Sequence, residues 1–240
     1  MSQVNEYGQP VGDDLGVGEP PPFPEATTLT GAHVTLEPLQ VGHASALHPT
    51  LAAADESLWT YMAIGPFRTE NEMRSSFESL IEKPDWLPYA ILVDGIPAGF
   101  LSYLRIDQSG GVIEIGSIVF APGMQRTTAA TEAIYLLLKH AFELGYRRCE
   151  WKCDDLNEPS RRAAERLGFR YEGTFRKATH YKGRNRDTAW YAITDDEWPH
   201  IELTFTRWLA PDNFDTEGRQ RKTLSELRRC VRATVATDKL

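Results

Sequence analysis

The stretch Asn157-Glu158-Pro159-Ser160-Arg161-Arg162-Ala163-Ala164-Glu165-Arg166-Leu167-Gly168-Phe169, followed by Glu172-Gly173, decides how this chain is read. Asparagine is a strong helix cap, because its side-chain oxygen accepts from a backbone N–H that the helix leaves unpaired. Pro159 falls in the first turn, where a missing N–H costs nothing, and Gly168 falls just past the end, where a left-handed residue closes a helix. The spacing predicts a helix over 157–167, with a strand over 148–153 before it and a strand over 169–181 after it.

Working outward, Ile134, Leu137, Leu138, Ala141 and Phe142 make one apolar stripe at helical spacing, so 128–144 reads as a helix stopped by Gly145. Upstream lie three apolar runs at 89–93, 96–104 and 112–120, separated by turns at Asp94-Gly95 and Gln108–Gly111, which is the pattern of an antiparallel meander. Residues 33–39 alternate as a first strand. Helices follow over 42–54 and 69–82, the second announced by Thr69 with Glu72 three residues later. Downstream, 187–193 is a strand joined to its predecessor by the basic turn Lys182–Arg186, and 195–208 is a helix. The expected fold is α/β of the α+β kind: a mixed, mostly antiparallel central sheet with helices on both faces.

Residues 1–26 are rich in Pro and Gly and are expected to form a flexible extension, with Phe23 as a point that pins it to the body. Residues 27–209 make one domain. Residues 210–240 are polar and mixed in charge. Leu224, Leu227 and Val231 suggest one stripe of a short helix, read either as a loosely packed tail or as a dimer contact. The formal charge of −8 argues against nucleic-acid binding, which needs clustered cations, and suits an amine-bearing partner. Three cysteines without framework spacing point to a reducing compartment, and Cys149 and Cys153 read as packing residues with no metal set around them. No apolar run approaches the roughly 18 residues of a membrane span. The expectation is a cytoplasmic protein, monomer or homodimer, that uses neither membrane nor metal.

The loop Met124–Thr128 opens a long helix, and a helix N-terminus with its unpaired N–H groups and partial positive charge is a seat for a pyrophosphate. The string from Asn157 through Ser160, Leu167-Gly168-Phe169 and Glu172-Gly173 resembles the signature of the GNAT acetyltransferase superfamily, in particular its ribosomal-protein N-terminal acetyltransferase (Rim-type) branch. Ala130-Thr131-Glu132-Ala133 is similar to the same branch's acetyl-CoA helix. The resemblance covers about residues 30–205. It implies a sheet splayed between two strands with acetyl-CoA in the splay, an acyltransferase activity, and a primary amine as acceptor, either a protein N-terminus or a small amine. It also implies pyrophosphate contacts from Gln125, Arg126, Thr127, Thr128, Ala129 and Ala130, and pairing of the pantetheine arm with the backbone of Ile118, Val119 and Phe120. Asn157 would lie near that arm while capping its helix. The family's central glycine falls here on Thr128, and the glycine after its first Gln/Arg falls on Arg126. Hydroxyls and an arginine can still donate to phosphate oxygens, so binding is expected to survive.

Amine acetylation needs a deprotonated amine, a polarised thioester carbonyl and a protonated thiolate. The resemblance implies that a backbone N–H of Val119 or Phe120 polarises the carbonyl. Glu114, flanked by Ile113 and Ile115, is the first candidate base, because desolvation raises a carboxylate's proton affinity; the alternative is a strand residue facing solvent. His180 is a second candidate base acting through a water, against an exposed or structural histidine. The resemblance implies that Ser160, in the Asn-x-x-Ser position, is the candidate acid or a donor to the sulfur. Trp59, Tyr61, Met62, Phe67 and Trp86 read as core or as the wall of an amine site, with the channel expected between the 55–70 loop, 86–89 and 181–186. A second class of function is a degenerate acyl-CoA-binding or interaction protein that kept the fold without turnover.

Overall fold

The computed structural model describes residues 3–16 and 18–237, with side chains described as far as Val231. In chain order the elements are β1 (Gln3–Val4), β2 (Pro10–Val11), β3 (Leu29–Thr30), β4 (Thr35–Pro38), α1 (His43–Ala52), α2 (Glu70–Ile81), β5 (Leu87–Val93), β6 (Ile96–Asp107), β7 (Val112–Phe120), α3 (Thr128–Glu143), β8 (Arg148–Asp154), α4 (Glu158–Leu167), β9 (Arg170–Tyr181), β10 (Arg184–Thr194), α5 (Trp198–Leu209) and α6 (Leu224–Thr237). β1 and β2 form a separate small hairpin. The other eight strands make one sheet in the order β3-β4-β5-β6-β7-β8-β10-β9, antiparallel throughout except for the parallel pair β7–β8.

Local chemistry accounts for the ends of these elements. The Thr69 hydroxyl accepts from the Glu72 N–H at 3.2 Å, while the Glu72 carboxylate reaches past the cap to the Arg68 N–H at 2.7 Å. Asp94 and Gly95 are both left-handed, at φ 51° and 76°, as a two-residue hairpin turn requires. The same geometry recurs at Lys182 and Gly183, at φ 49° and 71°. The basic turn expected over 182–186 is therefore only two residues long, and β10 begins at Arg184.

Two apolar clusters sandwich the sheet. On one face α1 and α2 pack on β5–β7 through Leu47, Leu51, Met73, Phe77, Phe100 and Val119. On the other face α3, α4 and α5 pack through Ile134, Leu137, Leu138, Leu167, Phe205 and the inward residues of β5–β10. Leu224, Leu227 and Val231 are buried in this second cluster or beside it, so the stripe of α6 is spent inside its own chain, against α5 and α4. In the N-terminal segment Pro24 is buried while Phe23 stays exposed. The Pro21 and Pro22 carbonyls accept from Gln108 Nε2 and the Tyr146 hydroxyl, each at 3.1 Å, so backbone carbonyls and Pro24 make the attachment expected of Phe23. Glu132 of α3 takes the Ala32 and His33 N–H groups at 2.9 and 2.6 Å, tying the turn before β4 to the helix.

One irregularity organises the rest. β7 and β8 pair only at Val112–Arg148, Ile113–Cys149 and Glu114–Glu150, although β7 runs on to Phe120 and β8 to Asp154. On its other edge β7 carries a bulge, in which the step from Phe100 to Ser102 on β6 is matched by Gly116 to Val119, and Ser117 sits at φ 51°. A bulge bends and twists its strand. Past Glu114 the sheet is consequently open between β7 and β8.

Candidate active site

The opening has two sides. On the side of α3 lie the N-termini of α3 and α4, both helices packing on this face. Thr127 caps α3: its hydroxyl accepts from the Ala130 N–H at 3.2 Å and donates to the Met124 carbonyl at 2.7 Å. Thr127 is thereby committed to the helix rather than to a ligand. The N–H groups of Thr128 and Ala129 lie in the first turn, whose donors have no intrahelical acceptor. Arg126 sits at φ 63°, the left-handed conformation that glycine would adopt at this place, and its side chain is exposed, as is that of Gln125. Gln125 Nε2 donates to the Phe120 carbonyl at 3.3 Å. The loop keeps a glycine-like backbone although it lacks the glycines. Ile118 and Phe120 are half-buried along the unpaired stretch of β7, and Val119 is buried against α1 and α2. From Ile115 to Phe120 this open edge is roughly 16 Å long at the usual strand rise.

Asn157 caps α4 by accepting from the Ser160 N–H at 3.2 Å. The Ser160 hydroxyl accepts from the indole N–H of Trp151 at 3.0 Å, which fixes its oxygen and leaves its own proton free to donate. It lies beside the Cys153 thiol. Burial is the main influence on that thiol and raises its pKa, and the Ser160 contact offsets part of the rise. Ser160, Trp151 and Cys153 therefore belong to the α3 side.

On the opposite face of the same strands lies a polar group. Ile113 and Ile115 point into the α3 cluster, so alternation turns Glu114 the other way. Its side chain is 5% exposed, and Oε2 is 3.0 Å from Lys152 Nζ and 3.2 Å from Arg105 Nε. Burial raises the Glu114 pKa more strongly than Lys152 and Arg105 lower it. Lys152, whose side chain is 4% exposed, also meets Glu150 Oε2 at 2.5 Å and lies 3.8 Å from the ring centroid of Trp190. The Tyr181 hydroxyl donates to Asp154 Oδ2 at 2.8 Å, and its pKa is pushed up to about 12, by burial first and the Asp154 contact second. The tip of the β9–β10 hairpin then crosses to the other half of the sheet, where Lys182 Nζ donates to the Trp59 carbonyl at 2.7 Å.

The expected residues are thus sorted by the fold. Glu114 stands at the point where the strands part, on the face opposite Ser160, and α3 and α4, which carry the loop 125–130 and Asn157 at their starts, pack on the Ser160 side. His180 is not brought to either group. It is exposed on the edge strand β9, where its neighbour Tyr181 points into the site, and adjacent strand residues face opposite ways. Trp59 and Phe67 form an edge-to-face pair at 5.1 Å inside the α1–α2 cluster and are core residues, whereas Tyr61, Met62 and Trp86 are half-buried. Tyr181 and Arg186 were expected only as ends of the 181–186 channel segment, and Lys152 and Asp154 were not singled out from sequence. The alternation of charged with apolar residues in Glu150-Trp151-Lys152-Cys153-Asp154 was the available signal.

A central sheet opened between two parallel neighbours, with a helix N-terminus at its mouth and a buried carboxylate at its root, defines an acyltransferase of the GNAT class. The acetyltransferase (GNAT) domain model matches residues 33–170, and the chain belongs to this family. It is similar to the solved structure of a GCN5-related N-acetyltransferase from Brucella melitensis, with 44% identity and a TM-score of 0.86 over 88% of this chain and 98% of that one. A GNAT-family structure from Chromobacterium violaceum is 40% identical with a TM-score of 0.73, over 80% and 99% of the two chains. The SPbeta prophage-derived uncharacterized N-acetyltransferase YokL of Bacillus subtilis is 30% identical over 132 residues, 55% of this chain and 74% of that protein. Among the described residues no helix is long and apolar enough to cross a membrane.

Proposed function

We propose that the 27–209 domain transfers an acetyl group from acetyl-CoA to a primary amine, in the manner of the Rim-type branch. The observation that carries this reading is the opening between β7 and β8, with helix donors on one face and Glu114 on the other. The first-turn N–H groups of α3, with Arg126, would hold the pyrophosphate, and the open edge of β7 would hold the arm. When bound, acetyl-CoA supplies the activated acyl group. Glu114, desolvated but held partly in check by Lys152, takes the proton of the amine. A β7 backbone N–H beside the Ser117 bulge donates to the carbonyl oxygen. Ser160, its oxygen anchored by Trp151, donates toward the sulfur. The glycine-like backbone at Arg126 supports an operating phosphate loop over a degenerate one.

The test is a thiol-release assay with acetyl-CoA and a panel of primary amines and unblocked peptides. Amine-dependent CoA release is expected, and Glu114→Gln should lower kcat by about 100-fold, the range of a lost general base. CoA binding without release for any amine would instead leave the non-catalytic acyl-CoA-binding reading.

A further inference from the structure

The hairpin that closes the acceptor side runs against the charge of the rest of the chain. Lys182, Arg184 and Arg186 stand together around its tip in a protein of formal charge −8. Among the described residues none of the three has a carboxylate within ion-pair distance. Lys182 donates to a neutral backbone carbonyl, and Arg184 is exposed. Arg186 is half-buried, and its Nε is buried without a hydrogen-bond partner. It shares a face of β10 with Thr188, which pairs across the ladder with Asp154, and with Trp190, whose ring lies under Lys152. Its guanidinium lies 5.8 Å from the ring centroid of Tyr181. Asp154, next to Tyr181, accepts from the Tyr181 hydroxyl and the Leu156 N–H and forms no ion pair with Arg186. A buried, unanswered donor on a cation is costly and calls for an anion from outside the chain.

We propose that Arg186 is a specificity-determining residue and that the acceptor is an amine carrying a carboxylate a few bonds away, which Arg186 binds while Glu114 deprotonates the amine. This deepens the acetyltransferase reading and rests on it. The carboxylate is that of an acidic side chain, carried either by a free amino acid or by a residue at the start of a peptide. The two sources share one chemistry, and a bound carboxylate would also keep the amine from pairing with Glu114 in more than one orientation. A polyamine or other purely cationic acceptor would meet Lys182, Arg184 and Arg186 as like charges and be disfavoured.

The experiment compares glutamate with glutamine, and a peptide beginning Asp-Glu with one beginning Asn-Gln, as acceptors for the wild type, Arg186→Gln and Arg186→Lys. A preference of at least tenfold in kcat/KM for the carboxylate partner of one pair is expected, and the pair that shows it identifies the source. Arg186→Gln should abolish the preference while leaving the KM for acetyl-CoA unchanged, and Arg186→Lys should restore part of it. Calorimetric titration of the same four probes into the protein with CoA reads binding without turnover. Selective binding of a carboxylate probe, lost in Arg186→Gln, supports the assignment even where transfer is absent, in which case the acetyltransferase reading alone fails. Equal use or equal binding of both members of each pair, no binding of any, or a rise in the acetyl-CoA KM as the only effect of Arg186→Gln overturns it.

Discussion

Lys152 is where single side chains set the chemistry. It sits between Glu114 and Glu150, and its charge holds the Glu114 pKa below the level that burial alone would give. A base must be deprotonated to act, so transfer should rise with pH through this raised pKa. Replacing Lys152 with Met removes a cation from the carboxylate, and the Glu114 pKa climbs further. The acidic limb of the kcat/KM profile should therefore move to higher pH in Lys152→Met, with the loss of activity greatest on the acid side. Glu150 keeps Arg148 as a partner at 2.8 Å, so the variant does not strand a second charge. An acidic limb that stays in place would assign the titration to another group. That Glu114 is buried was not legible from Ile113 and Ile115, which face the other side of the strand, and the sequence left a solvent-facing Glu114 open. Nor was its pairing with Lys152 and Arg105, because both partners come from neighbouring strands 38 and nine residues away, by the difference of their numbers.

Among the elements, the turn into α3 is the one that departs from what its sequence suggests. Arg126 holds a left-handed backbone, which costs a non-glycine residue about 1–2 kcal/mol. Arg126→Gly relieves that strain but enlarges the unfolded ensemble at a cost of about 0.4–1 kcal/mol, so a net gain of about 0.5 kcal/mol is expected. For a chain of this size that corresponds to a rise in Tm of about 1–2 °C by calorimetry. The same variant should raise the KM for acetyl-CoA, since the guanidinium is gone from the phosphate loop. Higher stability with weaker acetyl-CoA use would show that the residue is kept for binding; lower stability would show that it is kept for the fold. α4 behaved as read: the Asn157 cap, Pro159 in the first turn and Gly168 at φ 111° are all local signals, and local signals survive without tertiary context. The 182–186 turn was misjudged in length because Lys182 adopts a conformation that sequence assigns to Gly or Asn.

For the molecule as a whole, α6 is a structural part of the core. Leu224, Leu227 and Val231 are 1%, 8% and 1% exposed. The loop before them is stitched down by Asn213 Nδ2, which donates to the Trp208 and Lys222 carbonyls at 3.0 and 3.1 Å. Deleting residues 224–240 removes these buried side chains and uncovers the surface beneath them. At about 1.5–3 kcal/mol for each buried aliphatic side chain, the loss is about 5 kcal/mol, read as a fall in the urea midpoint. A deletion that left the midpoint unchanged would make α6 a separable tail. The order of strands and helices from β4 to α5, most of the caps and turns that end them, and the family string from Asn157 to Gly173 were readable from the chain alone, since these are written in residues close together along it, whereas the β1–β2 hairpin within the expected flexible extension was not. What needed the tertiary structure was that β7 and β8 separate after Glu114, that Ser160 and Glu114 stand on opposite faces of that opening, that Tyr181 rather than His180 reaches Asp154, and that Arg186, near the tip of the β9–β10 hairpin, keeps a buried Nε without a hydrogen-bond partner. Each of those depends on which face a strand presents and where a ladder stops pairing, and a single bulge, such as the one at Ser117, resets both.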